Sequence, residues 1–499
     1  MEHTHRGFLA DCEKEQLHAS GAVQSHGALL VFDSEQQLTH HSANFLTLTG
    51  MEPLETAQHF QAGRLVPAAR ELSEQPGSRL MLESGLETDL GLFDLVLSRG
   101  KTGQYLMEVL PAVGSRPLPD WIEPPQMHSI ADAAELDSLR QALTRWVSAV
   151  TGFERVMYYQ FLEGGDGEVV AETCLVETQG SYLGLRFPAS DIPLIARRLY
   201  LQNPWRVIAD AGSEPVPLQG SDKPDLTWCD LRSVSPVHAI YMQNMGDRAS
   251  FSIPVISGQE LDALLSCHSP EPGVLPLARL RAVQEVVRRY NTLLRDFRSR
   301  SRVRLLDEMT RTIQTELRQQ AGLDASDSWQ HLSRWLLQEF EADALIWCRN
   351  GEQRCAGISV EPELVQQLDS SFLRQTQELV FVADSIRQSL SIDLLSTMAG
   401  AAGVRFRRAG DSEQGRLYLL RTEQVEEVSW GGNPDKPVEH HDGVLGIAPR
   451  RSFAKWVETR LGYSRPWSSA TRLKLLRLRD ELQRSEYALP GDRVAEAGQ

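Results

Sequence analysis

One stretch of the sequence, from Leu277 to Leu317, constrains the fold more than any other. It runs for about forty residues without proline or glycine, and its apolar residues recur at steps of three and four, which predicts an α-helix. The mean α-helix of a globular protein has only about 11–12 residues. We therefore expect a single helix that spans two domains.

The length of the chain predicts about three domains. At roughly 100–200 residues per domain, 499 residues are too many for one core. The proline-rich segment from Arg116 to Gln126 can continue neither a helix nor a central strand, which indicates a linker. We place the first domain at 1–120, the second at 127–310, the third at 311–485 and a disordered tail at 486–499.

The local patterns favour an α+β fold with antiparallel sheets. In the first domain, short β-rich runs such as ALLVFD alternate with turn clusters such as SRGKTGQ. The second domain starts with a helical pattern in IADAAELDSLRQALTRWVSAVTG, and the strands ERVMYYQF and GEVVAE follow on either side of a GGDG turn. The third domain starts at about Ala325, and TRLKLLRLRDELQ closes it as an amphipathic helix.

Charge and cysteine content disfavour several classes of protein. The 51 Lys and Arg residues against 67 Asp and Glu residues leave a net charge of −16, which repels a nucleic-acid backbone. The six cysteines are too scattered for a disulfide framework and form no C-x-x-C pair, which indicates a reducing compartment without structural zinc. No apolar signal segment and no run of ~18 apolar residues is present. We therefore expect a cytoplasmic protein that does not span a membrane.

Three separated groups of motifs resemble the bacteriophytochrome family. They are the N-terminal D-C-E-x-E with GAVQSHGALL, the central RFPASDIPLIARRLY with LRSVSPVHAIYMQNMG, and the late WGGNPDKP with PRRSF, in the order and spacing of that family. Together they cover essentially the whole chain. The resemblance implies three consecutive sensor domains, PAS, GAF and PHY, an N-terminal figure-of-eight knot that clasps Val23, and a tongue hairpin at about 428–460.

The resemblance also implies a function. The protein would be a red/far-red photoreceptor in which light isomerises the methine bridge between rings C and D of biliverdin, and the tongue would then exchange its sheet for a helix. No kinase histidine box, ATP loop or cyclase motif is visible. We therefore expect no enzyme activity in this chain, which is either the sensory part of a kinase or cyclase or a short phytochrome that signals through a partner. The apolar stripe of the long helix supports a homodimer.

Cys12 is the residue that the resemblance assigns to a thioether bond with biliverdin. It lies in a polar N-terminal segment with Lys14 two residues away, where a thiol is accessible. From the sequence alone, an idle cysteine is the alternative.

The PASDIP segment is stiff, because Pro188 and Pro193 fix backbone dihedrals. By itself this segment makes Asp191 a candidate N-cap for the helix IARRLY. The resemblance instead directs Asp191 toward the pyrrole nitrogens of the bilin, where its carbonyl shares a water with them. The carboxylate of Asp191 would pair in the dark state with Arg450 of the tongue.

Two histidines and two arginines are further candidates. The resemblance places His238 near the pyrrole water, with its titration coupled to bilin protonation, and gives His268 a hydrogen bond to the ring D carbonyl. Arg206 and Arg232 would bind the propionates, since a guanidinium suits bidentate pairing with carboxylates. The residues alone leave a core histidine at 238 and two surface arginines as alternatives.

The other candidates also come from the resemblance. Ser250 and Ser252 alternate on one strand face and would bind a propionate, while Tyr159, Phe187 and Tyr241 match an aromatic cage around ring D, although each aromatic would be ordinary in a core. The remaining matching positions are Ile192, Pro193 and Tyr200 in the pocket and Ser452 in the tongue.

Two departures from the family pattern and two competing classes stay open. Ser25 stands where the family usually has proline, and Asp262 is unusual within a strand, which puts local packing and spectral tuning in doubt. The competing class is a non-photochemical binding module whose pocket holds a cyclic nucleotide or haem. An enzyme has less support, because no nucleophile–base spacing, metal set or phosphate loop emerges.

Overall fold

The described part of the chain forms two compact units. Unit 1 contains the described residues up to Phe297 and those from Ser429 to Trp456, and unit 2 contains the others. The predicted tail, apart from Leu489, lies outside the described residues. The computed structural model describes residues 16–63, 72–114, 122–176, 180–320, 323, 325–375, 377–392, 396–411, 413–434, 438–441, 444–447, 452–485 and 489.

Both units mix helices with strands, which confirms the predicted α+β class. The described helices are α1 (Phe45–Thr49), α2 (Pro53–Gly63), α3 (Ala133–Thr151), α4 (Leu194–Gln202), α5 (Pro236–Met245), α6 (Leu277–Gln319), α7 (Ala325–Glu339), α8 (Pro362–Arg374), α9 (Ile386–Leu390) and α10 (Thr471–Arg484), with 3-10 turns at Leu17–Ala19 and Ala189–Asp191. The strands of unit 1 and its borders are β1 (Ala22–Val23), β2 (Ala28–Phe32), β3 (Leu38–Ser42), β4 (Arg79–Thr88), β5 (Gly91–Arg99), β6 (Tyr105–Pro111), β7 (Arg155–Phe161), β8 (Gly167–Cys174), β9 (Arg186–Phe187), β10 (Arg206–Ile208), β11 (Val216–Gln219), β12 (Ala249–Ser257) and β13 (Glu260–Ser269). The later strands are β14 (Ala344–Arg349), β15 (Glu352–Gly357), β16 (Val380–Ala383), β17 (Met398–Phe406), β18 (Gly415–Thr422), β19 (Glu426–Gly431), β20 (Val438–His441), β21 (Val444–Ile447) and β22 (Lys455–Arg460).

The first sheet of unit 1 is antiparallel and has the strand order β1-β11-β3-β2-β6-β5-β4. All five side chains of β2 are buried, because one face packs against α1 through Phe45 and the other against neighbouring loops. Strand β11 belongs to the predicted second domain. The first sheet therefore borrows a strand from that domain, which the sequence patterns do not predict.

The second sheet of unit 1 has the order β10-β12-β13-β7-β8-β9, and β19 and β22 extend it. Helix α3 covers one face with the leucine, tryptophan and valine residues between Leu136 and Val150. The carboxylate of Asp132 accepts a hydrogen bond from the backbone N–H of Glu135 at 2.9 Å, which caps the helix, and Gly152 ends it with a left-handed φ of 82°.

Helix α6 confirms the long helix predicted from the sequence. It has 43 residues, of which those up to Phe297 belong to unit 1 and the rest to unit 2. Val283 and Val287 are buried in the core of unit 1, and Ile313 and Leu317 are buried in the core of unit 2. None of the helices in the described stretches has an apolar segment long enough to cross a membrane.

Unit 2 is built around an antiparallel sheet with the order β15-β14-β18-β17-β16. Every side chain of β14 and β17 is buried, because the sheet is covered on both faces. The apolar face of α10, with Leu475 and Leu478, completes one of the two cores. At the end of β14, Arg349 and Asp411 form a buried ion pair at 2.6 Å.

Residues 22–24 are held by a distant part of the chain. Val23 is fully buried and forms an isolated bridge with Arg232, while β1 pairs with β11. The side-chain Nε2 of Gln24 donates to the carbonyl of Asp230 at 3.1 Å. The predicted knot also requires residues 1–15, which lie outside the described residues, so the knot stays a prediction.

The hairpin expected between WGGNPDKP and PRRSF is present, since β20 and β21 pair antiparallel. Two glycines bring the start of this excursion close to the second sheet. A Cβ on Gly431 would collide with the ring of Phe187, and a Cβ on Gly432, whose φ is 96°, would collide with the carbonyl of Ser452.

Candidate functional site

A cavity opens in unit 1 beside the second sheet. It contains about 1380 Å³ of space between protein atoms, part of it open to solvent. Its walls come from α4, α5, β12, β13, the turn at Ala189–Asp191 and the segment 229–235. The sequence-predicted residues that line it are Asp191, Ile192, Pro193, Tyr200, Arg206, Arg232, His238, Tyr241, Ser250, Ser252 and His268.

The strands β12 and β13 present a polar face to the cavity. Their register pairs Ser250 with His268 and Ser252 with Ser266, and all four side chains line the cavity. Successive side chains of a strand point to opposite faces. Cys267 accordingly lies on the other face, fully buried in the hydrophobic core.

The PASDIP segment forms a short 3-10 turn with a proline on each side. Pro188 and Pro193 have φ values of −68° and −64°, as their rings require. Pro193, rather than Asp191, occupies the N-cap position of α4, and no side chain caps that helix. The N-cap interpretation of Asp191 is therefore wrong. Its carboxylate accepts a hydrogen bond from the hydroxyl of Tyr241 at 2.9 Å.

Arg206 and Arg232 stand side by side in the cavity wall. Arg206 donates to the carbonyls of Asp230 and Arg232 at 2.7 and 2.6 Å, and Arg232 donates to the carbonyls of Leu226 and Thr227 at 3.2 and 3.1 Å. Arg232 is only 7% exposed. The alternative of two surface arginines is therefore wrong.

The two arginines make this wall electropositive. Burial lowers the pKa of Arg232 to about 10, with the charge of Arg206 as the second cause, and burial also lowers the pKa of Arg206. Burial raises the pKa of the neighbouring Tyr200, which is hydrogen-bonded to Ser252 and stays uncharged at neutral pH. Both guanidinium groups remain cations at neutral pH. The nearby carboxylate of Asp230 is paired with Arg79 at 2.7 Å, so a net positive charge remains at this wall and favours an anionic ligand.

Two buried polar atoms on the cavity wall have no hydrogen-bond partner within the described part of the chain. They are Oδ1 of Asn203 and Nε1 of Trp205, although Trp205 is only 1% exposed. An unsatisfied buried polar group costs about 1–3 kcal/mol. Because both atoms are buried from the cavity as well as from solvent, they lower the stability of this wall and do not by themselves indicate a ligand.

His238 lies on α5 and stacks on Tyr241, with ring centroids 6.0 Å apart and planes 13° apart. Its side chain is exposed toward the cavity. The alternative of a satisfied core histidine is therefore wrong.

The other predicted aromatic residues form a cluster next to the cavity. The ring of Tyr159 lies 5.9 Å from that of Phe187, and neither residue lines the cavity itself. Tyr241 lines the cavity and also contacts this cluster, where its ring lies 4.9 Å from that of Phe453 at 84°. Phe453 comes from the hairpin excursion and was not predicted.

Asp247 is another residue that sequence reasoning missed. Its carboxylate is 2.7 Å from Nδ1 of His268, and Nε2 of His268 is 2.9 Å from the hydroxyl of Ser266. The spacing S-x-H within LLSCHSP places Ser266 and His268 on one strand face and is a signal that could have been noticed. Asp247 is 21 residues away and follows the helix α5, so no local pattern indicates it.

A buried carboxyl group joins the first sheet of unit 1 to the segment 229–235. Glu108 on β6 is fully buried and accepts hydrogen bonds from the backbone N–H groups of Asp230 and Leu231 at 3.1 and 2.8 Å. The carbonyl of Asp230 in turn accepts from Arg206. Burial raises the pKa of Glu108 to about 7, and the Asp230 carboxylate acts in the same direction.

This shift predicts that Glu108 destabilises the folded protein as the pH rises. Folded Glu108 holds its proton up to about pH 7, whereas the unfolded side chain loses it near 4.5. Glu108 therefore contributes to the free energy of unfolding below pH 4.5. This contribution falls by about 3 kcal/mol in all as the pH rises from 4.5 to about 7. Glu108→Gln should therefore lose less stability than wild type between about pH 5 and pH 8, measured as the shift of the thermal midpoint.

The comparison between variant and wild type isolates Glu108 from an opposing group. Burial and the charge of Arg206 lower the pKa of His26 to about 4. His26 therefore destabilises the fold as the pH falls below about 6.5, which partly offsets Glu108 in the wild-type profile. Equal pH dependence of both proteins would contradict the assignment to Glu108.

Two predicted residues lie outside the described residues, namely Cys12 and Arg450. Ser452 is exposed, and its hydroxyl accepts from the backbone N–H of Ala454 at 3.4 Å. Among the described cysteines, Cys229 lines the cavity, and burial raises its thiol pKa, so this thiol is a poor nucleophile.

Comparison with known proteins assigns the domains. Residues 12–146 match the PAS fold model, 135–294 the GAF domain model and 308–487 the PHY (phytochrome region) model. A bacteriophytochrome from Pseudomonas aeruginosa is 31% identical over 92% of this chain, and cyanobacterial phytochrome B from Nostoc is 30% identical over 92%. The chain spans 64% of the length of each of these relatives.

Solved structures show the same architecture. The phytochrome photosensory core module of Stigmatella aurantiaca matches with a TM-score of 0.79 and 25% identity, over 95% of this chain and 97% of that one. A bacteriophytochrome from R. palustris matches with a TM-score of 0.76 and 25% identity, over 95% and 98%. The three domain matches, their order and these structural likenesses together show that the chain belongs to the phytochrome family, as a photosensory core of the bacteriophytochrome type.

Proposed function

We propose that this chain is the light-sensing part of a red/far-red photoreceptor, which binds biliverdin covalently through Cys12 and photoconverts between two absorbing states. The observation that carries the proposal is the convergence of eleven of the sequence-predicted residues on one cavity with an electropositive wall. The GAF domain at about 127–310 would hold the chromophore, between the PAS domain at 1–120 and the PHY domain at 311–485.

The polar groups of the cavity suit a bilin with two propionates. Arg206 and Arg232 would pair with one carboxylate, while Ser250 and Ser252 would donate to the other. Helix α4 adds the apolar side chains of Leu199 and Ile195 to the lining. A long, mostly apolar pigment with charged substituents fits this combination of groups.

The chain's own groups would control the protonation of the bound pigment. His238 and the backbone carbonyl of Asp191 would lie next to the pyrrole nitrogens, and Tyr241 would hold the Asp191 carboxylate in place. When bound, biliverdin supplies the light absorption and the isomerisation of the methine bridge between rings C and D. The hairpin excursion, with Phe453 against Tyr241, would respond to the new position of ring D.

The proposal is tested by adding biliverdin, haem or a cyclic nucleotide to the purified apoprotein. Biliverdin is expected to produce a red absorption band that changes under red light and returns under far-red light. Biliverdin dimethyl ester is the matched probe for the electropositive wall, and it should bind more weakly than the free acid to wild type but not to an Arg206→Gln/Arg232→Gln variant. Preferential binding of haem or a cyclic nucleotide would favour a non-photochemical module and overturn the proposal.

His238→Ala is expected to lower the pKa of the bound bilin by roughly one unit, because the variant loses the imidazole nearest the pyrrole system. Red absorbance at pH 8 should therefore fall relative to wild type. The measurement is a pH titration of the red band, with His128→Ala as the control, since His128 is exposed and pairs with Glu135 away from the cavity. An unchanged titration of His238→Ala would refute a role in protonation.

The proposal extends to assembly and output. The apolar stripe of α6 would form the seam of a homodimer, and Val303, which is 57% exposed, lies on this helix. We place the receptor in the cytoplasm, where it would regulate an output module or partner, and we assign no catalytic activity to these three sensory domains.

Val303→Glu is expected to shift the protein toward monomer in sedimentation analysis, and an unchanged mass would remove α6 from the dimer seam.

A further inference from the structure

Three side chains at one end of the cavity form a continuous hydrogen-bonded line. The carboxylate of Asp247 contacts Nδ1 of His268 at 2.7 Å, and Nε2 of the same ring contacts Oγ of Ser266 at 2.9 Å. Asp247 is 6% exposed and His268 is 9% exposed, so water screens their contact poorly. His268 and Ser266 line the cavity, whereas Asp247 lies behind them.

The chemistry of the carboxylate fixes the histidine ring. An ionised aspartate accepts hydrogen bonds and donates none, so Nδ1 of His268 must carry a proton. The second nitrogen, Nε2, is then the one that faces Ser266 and the cavity. A carboxylate that is hydrogen-bonded to a histidine in this way fixes the orientation of the ring and keeps the proton on Nδ1.

The charged groups around this line support the pairing. Arg155 on β7 lies opposite His268 in the sheet register, but its guanidinium forms a buried ion pair with Glu172 at 2.5 Å. Arg248, which follows Asp247 in the chain, pairs with Asp210 at 2.7 Å. Within the described residues, His268 is therefore the basic side chain paired with Asp247.

We propose that Asp247 is a positioning residue that orients His268 and sets how strongly its Nε2 and the Ser266 hydroxyl interact with the ring D end of the bound pigment. This inference rests on the proposed function for the identity of the ligand. The carboxylate polarises the ring through its contact with Nδ1, so a change at Asp247 changes how strongly Nε2 interacts with Ser266 and with the ligand. Asp247 itself would not touch the pigment.

The test replaces the carboxylate by an amide of the same shape. Asp247→Asn removes the charge, and Asp210→Asn is the matched control, because Asp210 belongs to the adjoining Arg248 ion pair and does not line the cavity. The first readout uses apoprotein with ring-¹⁵N-labelled histidine, and His268→Gln identifies the signal. We expect the Nδ1–H signal of His268 to change in Asp247→Asn and to persist in Asp210→Asn.

The second readout is the pigment in the biliverdin-loaded protein. Losing the charge-assisted hydrogen bond between Asp247 and His268 should change the rate of thermal reversion by about tenfold in Asp247→Asn and leave Asp210→Asn close to wild type. Asp247→Glu should restore part of the wild-type rate. A normal rate in Asp247→Asn, or an unchanged Nδ1–H signal, would overturn the inference. Failure of every variant and of wild type to bind biliverdin would overturn the proposed function instead, and the apoprotein signal would still decide whether Asp247 fixes the ring.

Discussion

Cys12→Ala is expected to eliminate covalent biliverdin while leaving noncovalent red absorption. The thioether needs a thiolate within reach of the pigment, and the two buried cysteines of unit 1, Cys229 and Cys267, are unsuited to that role. Cys267 is fully buried on the core face of β13, and burial raises its pKa far above the ordinary thiol value. The measurement is zinc-induced fluorescence of the denatured protein on a gel, which detects only attached bilin.

Cys229→Ala is the matched control for this experiment. Cys229 lines the cavity, so it is closer to the proposed pigment than Cys267, but burial also raises its pKa. The control should keep full fluorescence. A fluorescent adduct that persists in Cys12→Ala and disappears in the double variant with Cys229→Ala would move the attachment site to Cys229.

The second large effect concerns the proposed pair of Asp191 and Arg450. Phe453 contacts the ring of Tyr241 at 4.9 Å, and the Tyr241 hydroxyl donates to the Asp191 carboxylate at 2.9 Å. Arg450 is three residues before Phe453, and three extended residues span about 10 Å. Arg450 itself lies outside the described residues, so its pairing with the Asp191 carboxylate stays a proposal.

Arg450→Ala is expected to bind biliverdin but to form a less stable far-red-absorbing product. If the pair is shielded from water, removing one partner leaves a charge that costs several kcal/mol, which is comparable to the energy gap of a two-state switch. Asp191→Ala and Arg450→Ala should then be non-additive in a double-mutant cycle on photoproduct lifetime, with an interaction energy of about 0.5–3 kcal/mol.

Arg451→Ala is the control for this cycle, because it removes the same charge from the adjacent position in PRRSF. It should behave nearly as wild type and add independently to Asp191→Ala. Additive effects of Asp191→Ala and Arg450→Ala would remove the coupling between pocket and tongue but would leave the chromophore site intact.

The features of this structure that could be predicted are those that depend on residues close together in the sequence. The forty-residue periodic stretch needs no tertiary information, since its spacing alone defines α6. In β12, the alternation of Ser250 and Ser252 with apolar residues correctly separates the two serines from the core face. These elements depend on neighbours in sequence.

Other features depend on contacts between distant residues. Asp191 resembles an N-cap in its local context, but Pro193 takes that position and Tyr241, fifty residues later, holds the carboxylate. Glu108 gains its raised pKa only because residues 230 and 231 bury it, which no pattern around position 108 reveals. Contacts formed by folding decide the chemistry at these positions.

The most direct test of the central claim is the isomeric state of the pigment after illumination. Biliverdin-loaded protein is irradiated with red light, denatured in acid in the dark, and the absorption spectrum of the denatured bilin is compared with that of an unirradiated sample. The account predicts that red light shifts this spectrum and that far-red light before denaturation returns it to the unirradiated form, because the methine bridge between rings C and D isomerises in the cavity. Identical spectra of the denatured bilin under all three conditions would contradict the account.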